Sequence, residues 1–569
     1  MFRSHGGQLW RAVMAMTAGR ADIADDVVAE AFSRLLVHDR GVRDPVAWLF
    51  RTSFRLAARE LRREGTRSLH GPSDRGGRDR EPLSDELTSA LRLLSPSQRA
   101  RRSTSPDGQA PGLSVLRLHH PRECAGQRAA PPGLVRLRRM RLATHRQPGL
   151  VVTDHLFTVP VDHDTPAGAK IEVFARELVT PTRERDELPW MVFFQGGPGS
   201  GSPRPLGRGG TWMERALADW RVLLLDQRGT GRSTPINGRT LAAIDSAQAQ
   251  AEYLGHFRAD SIVRDAELIR KELVGPDEQW DLVGQSYGGF CITTYLSIAP
   301  EGIRQAFVTG GLPPLSRTPD EVYRATYPRV LDKNRRYFER YPGDRERLVK
   351  IVEQLATTKV RLPGGDRLTP ERLQVVGIEF GMAQGFERVH YLVEQAFFED
   401  ADRPVFSDGF LYGVEAVTSF HEVPLFAALH EPIYCQGTAA NWAAHRVREE
   451  FPQFDPTSEE FLFTGEMIYP WMFEQQFCLQ PLQAAAELVA ARSDWPALYD
   501  PKRLGECQAK VAAVVYHDDM YVDATGSLET AAAVRGLRAW VTNEYEHDGA
   551  YMDGKRVFDR LVKMASGEL

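Results

Sequence analysis

The chain has 569 residues, 42% of them hydrophobic, enough to bury a sizeable core in more than one domain, which excludes a chain disordered overall. Five widely spaced cysteines form no Cys-x-x-Cys pair, so neither a disulfide framework nor a zinc site is indicated. No run approaches the ~20 apolar residues of a membrane span, so a soluble, cytoplasmic protein with no membrane partner is expected. The net charge of −5 is unevenly spread: residues 1–150 carry 27 Arg, no Lys and 15 acidic residues, a surplus of 12 positive charges that leaves 17 negative ones on the rest. Two differently built pieces are implied, and no single function for both.

In chain order, Ile23, Val27, Ala31 and Leu35 recur at i, i+4, as on an amphipathic helix. Asp44 then caps a second helix with Pro45 at its first position, and Arg51, Arg55, Arg59 and Arg63 form a basic stripe along it. The stretch Ala24-Asp25-Asp26-Val27-Val28-Ala29-Glu30-Ala31-Phe32-Ser33-Arg34-Leu35, with Asp44-Pro45-Val46-Ala47-Trp48-Leu49-Phe50-Arg51, resembles the core-binding and promoter-melting helices of extracytoplasmic-function sigma factors. Leu91 to Ala100 resembles the start of that family's second domain, but residues 101–150, rich in Arg, Pro and Gly, do not continue it. The expectation is a sigma-like helical segment over 1–66 and a basic low-order linker over 67–150, the latter possible as a shifted reading frame. Nucleic acid or RNA polymerase is a partner only if that segment functions.

From residue 151 the texture changes. His155–Val161 and Lys170–Val179 read as a hairpin, and Trp190–Phe194 is a continuously apolar run, as a parallel strand covered on both faces requires. That run ends in Gln195-Gly196-Gly197-Pro198-Gly199, where a backbone N–H of Gly197 can approach a substrate oxygen. Arg221–Leu225 leads to Asp226-Gln227-Arg228-Gly229-Thr230-Gly231-Arg232-Ser233, read as a shaped loop because no Gly-Lys-Ser/Thr follows. A crossover helix over 260–274 precedes Trp280-Asp281-Leu282-Val283-Gly284-Gln285-Ser286-Tyr287-Gly288-Gly289. Here strand, glycine-bracketed serine and helix occur in the order of a nucleophile elbow.

Gln305–Thr309 is a further strand, and residues 313–508 break the strand and helix alternation with a largely helical, aromatic-rich stretch too long for a loop. The sheet resumes with Lys510–Tyr516 and Leu537–Val541. The fold class is therefore α/β: an α/β-hydrolase core (151–312 and 509–569) with a helical cap (313–508) inserted after the sixth strand, plus the N-terminal α-helical sigma-like segment. Ser286, Asp519 and His547 follow the Ser, Asp, His order of that fold. Asp518 is a rival acid, and His517 and His163 are rival bases at the wrong point in the strand order. Backbone N–H groups of Gly197 and Tyr287 are the candidate oxyanion donors.

Gly-Gly-Pro-Gly, Asp226 to Ser233, Gly-Gln-Ser-Tyr-Gly-Gly, Asp-Asp-Met-Tyr-Val and Glu-His-Asp-Gly together resemble the proline iminopeptidase family over residues 151–569. The resemblance implies a serine exopeptidase that releases an N-terminal residue, preferably proline, from peptides with a free N-terminus, with Ser286, Asp519 and His547 as triad and no metal or cofactor. Gln195 stands where many relatives have His. A cap carboxylate is expected to receive the substrate's α-amine: Glu466 first by resemblance, Glu431 second, with Trp471 beside them as part of a proline-sized pocket. An esterase or amidase on small substrates is the alternative with the same triad, and a sigma-like transcription factor is the alternative from another class.

Overall fold

The computed structural model describes residues 137–569, except 208–210, 399–404 and 459, and twelve isolated positions between 9 and 57. The chain divides into two units, residues 1–123 and 124–569. In the first, the described positions are helical, and Val27 and Ala31 of the predicted stripe are buried. The rest of the sigma-like pattern and the linker as far as residue 136 lie outside the described residues.

The second unit is built on a nine-stranded sheet. Its strands are β1 (Arg138–Gln147), β2 (Leu150–Pro160), β3 (Lys170–Val179), β4 (Trp190–Phe194), β5 (Arg221–Leu225), β6 (Trp280–Gln285) and β7 (Ile303–Thr309), followed by β10 (Lys510–Tyr516) and β11 (Arg538–Thr542). A separate two-residue pair, β8 (Phe397–Phe398) and β9 (Val405–Phe406), lies between β7 and β10. The order is β1-β2-β3-β5-β4-β6-β7-β10-β11, antiparallel from β1 to β5 and parallel from β5 to β11.

The apolar strands owe their composition to being covered on both faces. Alternate residues of one strand enter different cores: Val192 and Phe194 of β4 pack with the helices Ala259–Leu273 and Tyr287–Ile298, whereas Met191 and Phe193 pack with Trp212, Trp220 and the C-terminal helix Gly554–Ser566. That last helix places Val557, Phe558, Leu561, Met564 and Ala565 on one buried stripe, and Phe558 meets Trp220 and Phe307 edge-on at 5.9 and 5.1 Å. Burial of each such large apolar side chain contributes about 1.5–3 kcal/mol.

Two boundaries differ from the sequence reading. Arg138–Gln147, assigned to the linker, is an edge strand that pairs with β2, so a border at 150 cuts a hairpin. Counting that strand, the helical insertion between β7 and β10 follows the seventh strand of the sheet rather than the sixth. The insertion opens with the helix Pro319–Arg340, started by a reciprocal Thr318/Glu321 capping box with Pro319 in its first turn. Among the described residues no helix is long and apolar enough to cross a membrane.

Candidate active site

Parallel strands end on the same edge of a sheet, and the loops after β4, β6, β7, β10 and β11 converge there. Ser286 follows β6 with φ 55° and ψ −126°, a left-handed backbone that a non-glycine residue adopts only under constraint. The constraint is visible on both sides: a Cβ at Gly288 would lie 2.0 Å from the Phe194 carbonyl oxygen, and one at Gly284 would lie 2.5 Å from that of Gly288. The Ser286 N–H donates to the Thr309 carbonyl at 2.9 Å, tying the turn to β7.

Asp519, after β10, is buried, and its carboxylate is held in place by its own loop. The N–H groups of Tyr521 and Val522 donate to one oxygen at 2.8 and 3.1 Å, and His547 Nδ1 lies 2.6 Å from the other. With Nδ1 engaged as the donor, the neutral ring presents Nε2 as a proton acceptor. Burial of His547 disfavours its charge, but Asp519, by charge and by hydrogen bond, outweighs this with help from Glu466 and Asp548, so its pKa lies above the ordinary value. The end of β7 brings the base and the serine to one place. A Cβ at Gly310 would be 3.4 Å from His547 Nδ1, and one at Gly311 only 2.1 Å from the Ser286 carbonyl oxygen.

The rivals are occupied elsewhere. Asp518 pairs with His517 Nδ1 at 2.8 Å and Arg336 at 3.1 Å, and His163 sits between Asp265 and Arg228 at 2.9 and 3.0 Å. Gly197 has φ 120°, and its neighbour Gly196 abuts the serine: a Cβ there would meet Ser286 Cβ at 3.0 Å. Tyr287 opens the helix after the serine, where backbone N–H groups have no intrahelical acceptor. The Asp226 to Ser233 loop is a structural pin. Arg228 is buried and donates to both oxygens of Asp265 and to the carbonyls of Pro160, Val161 and His256, and no phosphate cradle is formed.

A family model described as alpha/beta hydrolase fold matches residues 189–347. A proline iminopeptidase from Aeromonas sobria is 50% identical over 418 residues, 73% of this chain and 97% of that protein. The chain belongs to the proline iminopeptidase family. A second relative, proline iminopeptidase aneH from Aspergillus aculeatus, is 36% identical over 435 residues, covering 74% of this chain and 95% of the relative. Among solved structures, a proline iminopeptidase from Mycobacterium smegmatis aligns at 13% identity with a TM-score of 0.34, over 72% of this chain and 99% of that one, too loosely to add to the argument.

In this member of the proline iminopeptidase family the two candidate glutamates have different surroundings. Glu466 shares its electrostatic environment with the Asp519–His547 pair: burial pushes its carboxyl up to about 8, with His547 pulling it down and Asp519 adding to the rise. Glu431 instead caps a helix. The N–H groups of Ala443 and Ala444 donate to its two oxygens at 2.9 and 2.8 Å, at the start of the helix Ala443–Arg448, and burial raises it to about 8 as well. Trp471 stacks on Tyr469 (6.0 Å between centroids), whose hydroxyl lies 3.1 Å from that of Tyr327; its described contacts stay within the insertion. Gln195 accepts from the Tyr551 hydroxyl at 3.3 Å through its side chain and from Gln227 at 3.1 Å through its carbonyl.

Three neighbours of the site were not singled out from sequence. Tyr521 packs edge-on against the His547 ring at 4.9 Å, and the Gly381 carbonyl accepts the His547 N–H at 3.0 Å. His430, buried in the insertion, has Nε2 4.0 Å from the Glu466 carboxylate. Tyr521 had a signal, standing two residues after the acid in Asp-Asp-Met-Tyr-Val. Gly381 and His430 had none, because both come from the insertion far along the chain.

Proposed function

We propose that this protein is a prolyl aminopeptidase that releases the N-terminal residue of peptides through an acyl-enzyme on Ser286. The observation that carries the reading is the hydrogen-bonded Asp519–His547 pair beside a serine elbow, with the carboxyl of Glu466 in the same electrostatic cluster, in a chain of this family. Ser286 Oγ attacks the carbonyl carbon of the first residue as His547 Nε2 takes its proton, and Asp519 stabilises the imidazolium. The N–H groups of Gly197 and Tyr287 receive the oxyanion. Collapse breaks the peptide bond, with the proton passing from His547 to the departing amine. Water, deprotonated by the same imidazole, then hydrolyses the prolyl ester.

The insertion over 313–508 acts in this reading as a cap that confines the substrate's end. Glu466 receives the ammonium group, while Glu431 serves the cap's own structure. Trp471 is assigned to the proline-sized pocket by the family resemblance, its described ring contact being with Tyr469 of the insertion. Four described cysteines are unpaired, which fits a reducing, cytoplasmic setting. The sigma-like reading of residues 1–66 stands apart from this activity and would show as salt-dependent binding of polymerase or DNA by that segment.

The test is hydrolysis of prolyl, alanyl and leucyl arylamides, N-acetylprolyl arylamide and a simple ester, with Ser286→Ala beside the wild type. Cleavage of the free prolyl compound, lost in Ser286→Ala and absent for the acetylated compound, is expected. Equal cleavage of the acetylated compound, or cleavage of the ester alone, would replace the aminopeptidase reading by an esterase or amidase on the same triad.

A further inference from the structure

The first helix of the insertion, Pro319–Arg340, turns a basic face toward the two loops that carry Asp519 and His547. Arg329, Lys333 and Arg336 recur at i, i+4, i+7 and so project from one side. Arg329 binds Asp523 at 2.9 Å and the His517 carbonyl at 3.0 Å, and Arg336 binds Asp518, next to the acid, at 3.1 Å. Between them Lys333 Nζ reaches Glu546, next to the base, at 2.5 Å. Asn334, the next residue, exchanges two hydrogen bonds with the backbone of Phe463 at 2.8 and 2.9 Å, three residues before Glu466.

Lys333 is 2% exposed, whereas Glu546 is 27% exposed. A lysine is rarely placed inside a protein, because burying its charge is costly unless it is paired. Arg335, from the same turns, faces solvent and among the described residues pairs with Asp332 and Glu339 of its own helix. A lysine that served solubility would stand with Arg335; this one is placed against the residue that precedes His547 in the chain.

We infer that Lys333 is a positioning residue: through its ion pair with Glu546 it fixes the loop that presents His547 to Asp519, so that correct seating of the insertion is a condition for an assembled triad. The inference rests on the triad reading above. Backbone bonds already hold Asp519, since Tyr521 and Val522 donate to it, but the described backbone anchor of His547 is its one N–H to Gly381, itself part of the insertion. The base is thus the less supported partner; on its far side Asp548 accepts the Ala383 N–H at 3.1 Å, and on its near side Lys333 holds Glu546 at 2.5 Å.

The full-length chain is tested as wild type, Lys333→Met, Glu546→Gln, the double variant, Arg335→Ala and Ser286→Ala, with prolyl arylamide as substrate. The proton shared by His547 and Asp519 is followed by its downfield NMR signal. Displacement of a reacting group by about 1 Å costs up to about 100-fold. Lys333→Met and Glu546→Gln are therefore each expected to lose about 10- to 100-fold in kcat with little change in KM, to broaden the downfield signal, and to be no worse in combination, because they break one interaction. Arg335→Ala keeps wild-type kinetics.

Unchanged kcat, a loss confined to KM, additive losses in the double variant, an intact downfield signal, or an equal loss in Arg335→Ala would each overturn the inference. If Glu546→Gln, which leaves the buried Lys333 charge unpaired, does not fold, Lys333→Met, which leaves only the partly exposed Glu546 without its partner, decides by the same readouts. Activity surviving in Ser286→Ala would overturn the triad reading and the inference with it. Activity abolished there but intact in Lys333→Met and Glu546→Gln would overturn the inference alone.

Discussion

Replacing Glu466 by glutamine removes one charge and no volume, so it isolates what the carboxylate does. If an ammonium group met it at the surface, the pair would be worth at most about 1 kcal/mol and the loss would be less than about tenfold. Glu466 is only 17% exposed, however, and stands in the field of Asp519 and His547. A hydrogen bond to a charged group in such a place is worth about 1.5–3 kcal/mol, and 1.4 kcal/mol is a factor of ten, so Glu466→Gln should lower kcat/KM on prolyl arylamide by about 10- to 150-fold. Burial raises the carboxyl to about 8, close to the ~8 of a free α-amine, so enzyme and substrate share a single proton in the complex. Affinity in the wild type is greatest near pH 8 and falls on either side, and the glutamine variant lacks that maximum. Steady-state kinetics from pH 6 to 9.5 on prolyl arylamide and on a simple ester read both effects. A variant that cleaves prolyl arylamide as well as the wild type, or loses ester cleavage in the same proportion, would refute amine recognition by Glu466.

Glu431→Gln should leave selectivity alone and lower the melting temperature, because a carboxamide nitrogen cannot accept the Ala443 or Ala444 N–H; a loss of about 1–3 kcal/mol is expected by thermal unfolding. Since burial raises the folded pKa of Glu431 to about 8, above its unfolded value, its share of stability is full below about pH 4 and lost as pH rises through 8; the variant should lack that slope. Asp519→Asn should cost about 10⁴-fold in kcat by allowing the wrong imidazole tautomer, whereas Asp518→Asn, whose partners are His517 and Arg336, should change it by less than about tenfold. Because the His547 pKa is raised, its ring stays protonated to a higher pH than a free imidazole. The acid limb of kcat/KM for the ester should therefore lie above about 6.5 and move down in a pH titration of the residual activity of Asp519→Asn.

The core strands and the elbow were legible because their physics is local. A strand covered on both faces must be apolar throughout, and β4 shows it; the serine turn must be bracketed by residues without bulk, and Gly284 and Gly288 show that. β1 was missed for the opposite reason. Arg138–Gln147 lies at the sheet's edge with almost every residue exposed, so no alternation of apolar and polar residues marks it. The two glutamates of the insertion are alike as letters, and only fold geometry separates one that receives backbone N–H groups from one in the field of the Asp519–His547 pair. Lys333 and Glu546 are 213 residues apart, a distance at which no spacing rule connects an ion pair.

The sheet has a consequence for how the protein is made. β10 lies beside β7, with Val511 opposite Ala306, yet some 200 residues of insertion separate them in the chain, and both Asp519 and His547 come after that gap. On the ribosome the serine turn is synthesised long before its acid and base, and the strand edge of β7 stays open until β10 emerges. In the proposed reading, an enzyme that trims N-termini would remain inert toward its own emerging chain and its neighbours until translation is nearly finished.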